Sequence, residues 1–210
     1  MKKIILFALL FAGVSVTKAQ DAKKVFTTTD IVWYGMDFTK AKFVGGFDQI
    51  QGAGAVTGTD MRNRWVPGWN TLMLNEPQNF DLRKTFRKDN IYNDINSVTD
   101  LNSKLDADKC MTYNEGKIEK SEIEGMVKKY TGDKKEGVGL VFIIENFNKG
   151  TQTANVYVTF FDIGTKKVLL CEKIDGKAVG IGMRNYWAGA IKSVLKQVEK
   201  ELYNNWKARY

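Results

Sequence analysis

The chain has 210 residues and a formal net charge of +8, and 43% of its residues are hydrophobic. It contains no histidine, which excludes serine–histidine and cysteine–histidine nucleophile activation, zinc sites built on imidazole and most histidine general-base mechanisms. Lysines and arginines are scattered along the chain rather than gathered with aromatic residues in one stripe, so a nucleic-acid partner is not indicated.

The first nineteen residues have the pattern of a secretory signal peptide. Lys2 and Lys3 precede an apolar run, and Thr17 and Ala19 fit the −3 and −1 positions of a cleavage site. The run is shorter than the ~18 residues of a spanning helix. We therefore expect a mature chain of residues 20–210, with a net charge of 8 − 3 = +5 because three lysines leave with the leader. No cysteine lies near the cut, which predicts a periplasmic or secreted protein without a lipid anchor.

The mature chain is predicted to form a single α/β domain, with no transmembrane segment. Its only prolines are Pro67 and Pro77, and no proline-rich or serine-rich linker divides it. Residues 31–36 alternate in the way that predicts a first strand. The glycine-rich stretch 45–58 follows, but it has neither a dinucleotide fingerprint nor a P-loop ending, so we interpret it as a flexible loop without a cofactor.

Tryptophans dominate the next segment. Residues 64–90 predict one or two short helices, with Pro77 near a helix start. Trp65 and Trp69, together with Trp33 of the first strand, could line a groove for a carbohydrate or peptide, or could belong to the core. Both interpretations stay open from the sequence.

Two elements are predicted between these helices and the main sheet. Weak alternation over residues 95–105 suggests a second strand. Ser121 and Glu124 have the spacing of a capping box, which predicts a helix of about ten residues that stops at Gly132.

The last third of the chain has the clearest patterns. Residues 136–149, 153–163 and 166–176 are consecutive β-rich runs, which predict an antiparallel three-strand meander within a mixed sheet. Apolar residues from Met183 to Leu202 recur at helical spacing, so we expect a long amphipathic helix packed on the sheet in a three-layer domain.

Three smaller features have more than one interpretation. Trp206 and Arg209, beyond the helical pattern, could be a frayed end, a partner contact or a membrane-surface contact. Cys110 and Cys171 could form a disulfide, or Cys171 could be a buried thiol in its apolar run. The acids of the segment LDADKC, at positions 106 and 108, are more typical of a solvated turn than of a metal site.

Residues 138–202 carry a resemblance to known proteins. The segment contains a D-x-x-T-x-K-V-L turn formed by Asp162, Thr165, Lys167, Val168 and Leu169, then Gly176, Gly180 and Gly182, and then the long helix. It resembles the TolB amino-terminal domain, the curli-secretion lipoprotein and the auxiliary lipoproteins of ABC transporters, as does the GMDF end of the first strand at residues 35–38. The chain also resembles uncharacterised secreted proteins of the Bacteroides type.

The resemblance implies a three-layer α/β domain that serves as an envelope interaction module, with no catalytic residue to carry over. Many members of these envelope protein groups have a lipobox cysteine, and this chain does not. We therefore expect a non-enzymatic envelope protein with a protein partner. The alternatives are a small-ligand or glycan-binding protein that uses Trp33, Trp65 and Trp69, and a hydrolase that uses paired carboxylates.

Overall fold

The computed structural model describes residues 21–50 and 54–210. The predicted signal peptide and residues 51–53 of the glycine-rich stretch lie outside this range. The described chain is a mixed α/β structure with a seven-stranded sheet and helices, which confirms the predicted fold class. Within the described residues, no helix has both the length and the hydrophobicity needed to cross a membrane.

The sheet is organised around its longest strand. The strands are β1 (Asp30–Asp37), β2 (Lys42–Val44), β3 (Asn90–Asn93), β4 (Met111–Thr112), β5 (Val138–Asn148), β6 (Thr153–Asp162) and β7 (Val168–Lys177). Strands β1 and β2 both pair parallel with β5, one after the other, and β3 and β4 pair parallel with β1 and β2. On the other side, β6 is antiparallel to β5, and β7 is antiparallel to β6. All residues of β5 are buried, because neighbouring strands and helices cover both its edges and both its faces.

Helices cover both faces of the sheet. They are α1 (residues 21–27), α2 (Gly58–Asp60), α3 (Val66–Asn75), α4 (Leu82–Phe86), α5 (Asn96–Asn102), α6 (Lys120–Val127), α7 (Gly182–Gln197) and α8 (Tyr203–Arg209). A π-helical turn joins α2 to α3, and another joins α7 to α8. The larger core lies between the sheet and α1, α3, α4, α7 and α8. The smaller core lies on the opposite face, against α5 and α6.

Aromatic rings fill the larger core. The ring of Trp187 on α7 stacks on Phe147 of β5 with a centroid distance of 4.6 Å, and on Phe47 at 5.4 Å. Such pairs add about 0.5–1.5 kcal/mol each beyond the area that they bury. The apolar stripe of α7 is therefore fixed on the sheet by large side chains.

Three local predictions were wrong. Residues 95–105 contain α5 rather than a strand, because Val98 and Asn102 lie on one helical face and are both buried against β1. The capping box of α6 is formed by Glu119 and Glu122, so the helix begins earlier than predicted. Pro77 lies two residues after α3 ends at Asn75, and it starts no helix. Pro67 occupies the first turn of α3 instead.

Candidate functional site

The carboxyl end of β1 is irregular and is held by two buried asparagines. Gly35 has a φ of +97°, and a Cβ there would lie 2.8 Å from the side-chain oxygen of Asn70. The Met36 amide donates to Asn70 Oδ1 at 2.7 Å, and the Phe38 amide donates to Asn102 Oδ1 at 2.7 Å. Asn70 belongs to α3 and Asn102 to α5, so the two helix layers bind the same turn of backbone from opposite faces.

This turn buries the carboxylate of Asp37, which is fully inaccessible to solvent. Oδ1 accepts from the amide of Thr39 at 2.8 Å and from its hydroxyl at 2.6 Å. Oδ2 accepts from the hydroxyl of Tyr130 at 2.6 Å. Burial raises the pKa of Asp37, and the hydrogen bonds from Thr39 and Tyr130 oppose this shift.

A small cavity of about 220 Å³ lies over Asp37, between α5 and α6. The cavity is lined by Lys40, Lys104 and Lys129. Among the described residues that line it, Asp37 is the one carboxylate. Hydrolysis by paired carboxylates needs two such groups at a fixed separation. Both oxygens of Asp37 are already occupied by donors, so its geometry suits an anchor of the turn.

A groove of about 620 Å³ runs along α7, and we call it the α3–α7 groove. On the α7 side it is lined by Asn185, Ala188, Lys192 and Lys196, among others. These positions are three or four residues apart and so form a stripe of about 16 Å along one face of the helix. Leu72 and Phe80 provide apolar surface from the opposite wall.

Two glycines set the shape of the groove mouth. A Cβ at Gly189 would lie 1.9 Å from the carbonyl oxygen of Val179, and one at Gly180 would lie 2.7 Å from that of Asn185. The loop between β7 and α7 therefore packs directly on the helix backbone. Val179, which lines the groove, is 66% exposed, and Ile181, at the start of α7, is 77% exposed.

Polar contacts hold the two walls together. The indole Nε1 of Trp69 donates to the carbonyl of Arg184 at 3.1 Å, and Arg184 pairs with Glu76 at 2.7 Å. The hydrogen bond from Arg184 lowers the pKa of Glu76. Lys192 donates to Asn79 Oδ1 at 2.9 Å across the groove. These hydrogen bonds and the ion pair fix the positions of the side chains that form the two walls of the groove.

The charge of the groove is positive. The described residues that line it include three lysines, Lys177, Lys192 and Lys196, and a single carboxylate, Glu76. Glu76 is paired with Arg184. In the described part of the chain, Lys177 and Lys196 form no ion pair. An apolar floor with a basic rim is complementary to an apolar ligand surface that carries acidic groups.

The tryptophans singled out from the sequence belong mainly to the core. Trp33, Trp69 and Trp206 are at most 3% exposed, so they do not form a platform for sugars. Trp65 is partly buried; its ring stacks on Trp69, and the guanidinium of Arg64 lies 4.4 Å from its centroid. The structure brings Trp65 and Trp69 together but places Trp33 on the sheet.

The C-terminal residues have structural partners. Trp206 packs in the larger core with α7 and α8, which disagrees with the expectation of a frayed or partner-binding end. Arg209 forms an ion pair with Glu172 of β7. Trp206 and Arg209 therefore attach α8 to the rest of the fold.

Neither the disulfide nor an acidic metal site is formed. Cys110 and Cys171 are free thiols, and they pack in separate clusters on opposite faces of the sheet. Burial raises the pKa of both thiols. Asp106 accepts from the amide of Asp108 and pairs with Lys109, as in a solvated turn, and the described residues contain no cluster suited to hold a metal ion.

Comparisons with family models, with curated proteins and with solved structures found no match.

Sequence reasoning did not identify the α3–α7 groove or the environment of Asp37. The groove combines residues from segments that are about a hundred positions apart, which spacing along the chain does not reveal. For Asp37 a signal existed, since it is the polar last residue of an otherwise apolar run and Thr39 comes two residues later, as in an Asx turn.

Proposed function

We propose that the protein is a non-catalytic interaction module of the bacterial cell envelope, exported by a cleaved signal peptide, and that the α3–α7 groove binds its partner. The observation that carries this proposal is the apolar surface of the groove, which is continuous with the exposed side chain of Val179 in its lining, and Ile181 is exposed two residues further along the chain. Exposed apolar groups beside a concave apolar surface are typical of protein interaction sites.

The shape and charge of the groove suggest the chemistry of the partner. The stripe on α7 is about 16 Å long, which matches three turns of helix. Its floor suits apolar side chains, and Lys177, Lys192 and Lys196 suit carboxylates at the flanks. We therefore infer a short amphipathic helix with an apolar face and acidic flanks, bound in the helix-in-groove mode.

Two features of the sequence support the location. The first nineteen residues have the sequence pattern of a signal peptide. Residues 138–202 resemble domains of envelope proteins, and these domains serve as interaction modules. The signal pattern is independent of the groove, whereas the resembling segment includes the α7 side of it.

Site-specific photo-crosslinking in the native bacterium tests the proposal. A photoreactive amino acid would replace Val179 in the groove lining or Ile181 two residues further along the chain. The control position is Tyr113, which is 85% exposed and lines a different cavity, beside β4. We expect the same envelope protein to be crosslinked from Val179 and Ile181 but not from Tyr113. Equal crosslinking from all three positions, or none from the groove, would contradict the proposal.

A further inference from the structure

Strand β7 has an open edge. It pairs with β6 along one side, and no strand in the described part of the chain pairs with its other side. An open edge of ten residues presents unpaired amides and carbonyls to which another strand can bind.

The hydrogen-bond pattern identifies the groups that point outward. The Ala178 amide donates to the carbonyl of Gln152 at 2.8 Å, at the end of the β6–β7 ladder. In antiparallel pairs, every second residue bonds to the partner strand, so the backbone groups of Cys171, Lys173 and Asp175 point away from β6. Gln197 of α7 donates to the carbonyl of Asp175 at 2.9 Å. Helix α7 thus covers the carboxyl half of the edge, and the amino half is open.

A cleft of about 450 Å³ lies along the open half. Residues 168–171 of β7 form one side of it, and residues of α6 and the C-terminal Tyr210 form others. An extended peptide beside β7 would therefore contact the strand edge and side chains from two helices. This is the arrangement needed for β-augmentation, in which main-chain bonds supply affinity and side pockets supply specificity.

The cleft is basic. Lys120, Lys128, Lys166 and Lys167 line it, against Asp21 and Glu124. Lys167 already pairs with Asp21, which leaves three lysines and one glutamate for a ligand. A second copy of this chain would place two such lysine-rich clefts against each other, and like charges disfavour that pairing.

We propose that the open half of β7 binds an extended acidic segment of a partner protein as an additional strand. This surface is separate from the α3–α7 groove: it uses the strand edge and α6, whereas the groove uses α3 and the exposed face of α7. The proposal therefore stands or fails independently of the function proposed above.

A phage-displayed library of random ten-residue peptides, selected on the immobilised mature chain, provides the test. We expect enrichment of acidic sequences with alternating β-branched residues. The synthetic peptides should bind Cys171→Pro about tenfold more weakly, because proline removes an outward amide without removing a bond to β6. Cys171→Val, which keeps the amide, should bind as the natural chain does.

Charge reversal gives a second readout that does not depend on a proline in a strand. Lys120→Glu with Lys128→Glu should weaken binding of the same peptides about tenfold. Lys149→Glu with Lys200→Glu is the matched control, because it makes the same charge change away from the cleft. This control should leave binding unchanged.

Several results would overturn the proposal. They are a selection that enriches no peptides, enriched peptides without an acidic bias, equal binding to Cys171→Pro and Cys171→Val, and equal loss in the two charge-reversal pairs. A dimer in sedimentation analysis that Cys171→Pro dissociates would show instead that the edge pairs two copies of this chain.

Discussion

Among single residues, Asp37 connects the irregular end of β1 to the segment that follows α6, through Tyr130. Its two oxygens accept three hydrogen bonds, from the amide and hydroxyl of Thr39 and from the hydroxyl of Tyr130. The hydroxyl of Tyr130 is buried in the smaller core, and Thr39 is partly buried beside the cavity of about 220 Å³. The side chain thus fixes the bulged path of the chain between β1 and β2.

We predict that Asp37→Ala lowers the free energy of unfolding by about 2–4 kcal/mol, because buried donors are left unsatisfied. Asp37→Asn keeps an oxygen for Thr39 and should cost less than half as much. Urea denaturation of both variants measures the difference. Equal losses would show that the acceptor role of the side chain is not what stabilises the turn.

Lys88 is a buried cation without a carboxylate partner in the described part of the chain. Its ammonium donates to the carbonyls of Val25 at 2.5 Å and Thr28 at 2.8 Å, at the end of α1. Burial lowers the pKa of Lys88 from 10.5 to about 8. The lysine therefore attaches α1 to the loop after α4. Below pH 8 its ammonium is charged while buried, which lowers the free energy of unfolding.

The sign of the resulting pH dependence follows from proton binding. Between pH 8 and 10.5, the unfolded chain holds the Lys88 proton and the folded chain does not, so the free energy of unfolding rises with pH. We expect the stability of the natural chain, relative to Lys88→Met, to increase over this window in denaturation measured at several pH values. A relative stability that is flat or falls with pH would mean that Lys88 stays charged in the folded state.

At the scale of elements, helix α7 and the loop before it act as one unit. Gly189 permits the backbone contact with Val179 that forms the groove mouth, and Gly176 permits β7 to approach Ala190 of α7. Any side chain at these positions would push the helix away from the strand or from the loop.

Two glycine-to-alanine substitutions in helices should therefore have opposite effects. Gly189→Ala should destabilise the fold by about 1–3 kcal/mol, because its Cβ would clash with the carbonyl of Val179. Gly125→Ala in α6 meets no atom within 4 Å and should stabilise by about 0.5–1 kcal/mol. Thermal unfolding of both variants gives the comparison. A change of the same sign in both would contradict the close packing at Gly189.

The elements also show what the sequence could predict. The three β-rich runs of residues 136–176 correspond to β5, β6 and β7, because long runs of β-branched and aromatic residues between turn signals are strong local patterns. The sequence pattern does not predict helix α5, because Asn102 is a polar residue at a buried position. Its side chain is buried because it forms hydrogen bonds with the backbone at the end of β1. The groove and the open edge of β7 arise from tertiary pairing, which local patterns do not contain.

The molecule carries two basic surfaces on one α/β framework. The α3–α7 groove lies against the larger core, and the cleft at β7 lies beside α6. A partner with a short acidic helix and an extended acidic strand could engage both, and each contact would raise the effective concentration of the other.

Export is also a property of the whole chain. We predict that the protein recovered from the periplasm or the medium begins at Gln20, since the signal pattern predicts a cut after Ala19. Mass spectrometry of the intact protein measures this directly, with a cytoplasmic fraction as the control. A full-length chain with the leader attached in the envelope fraction would contradict the predicted cleavage.

Titration calorimetry measures whether the partner binds in the α3–α7 groove. The protein crosslinked from Val179 would be titrated calorimetrically into the mature chain, into Lys192→Glu with Lys196→Glu, and into Lys200→Glu with Lys207→Glu as a matched control. We predict a Kd about tenfold weaker for the groove pair and a change of less than about twofold for the control pair. Equal effects of the two pairs, or none from the groove pair, would show that the partner binds elsewhere.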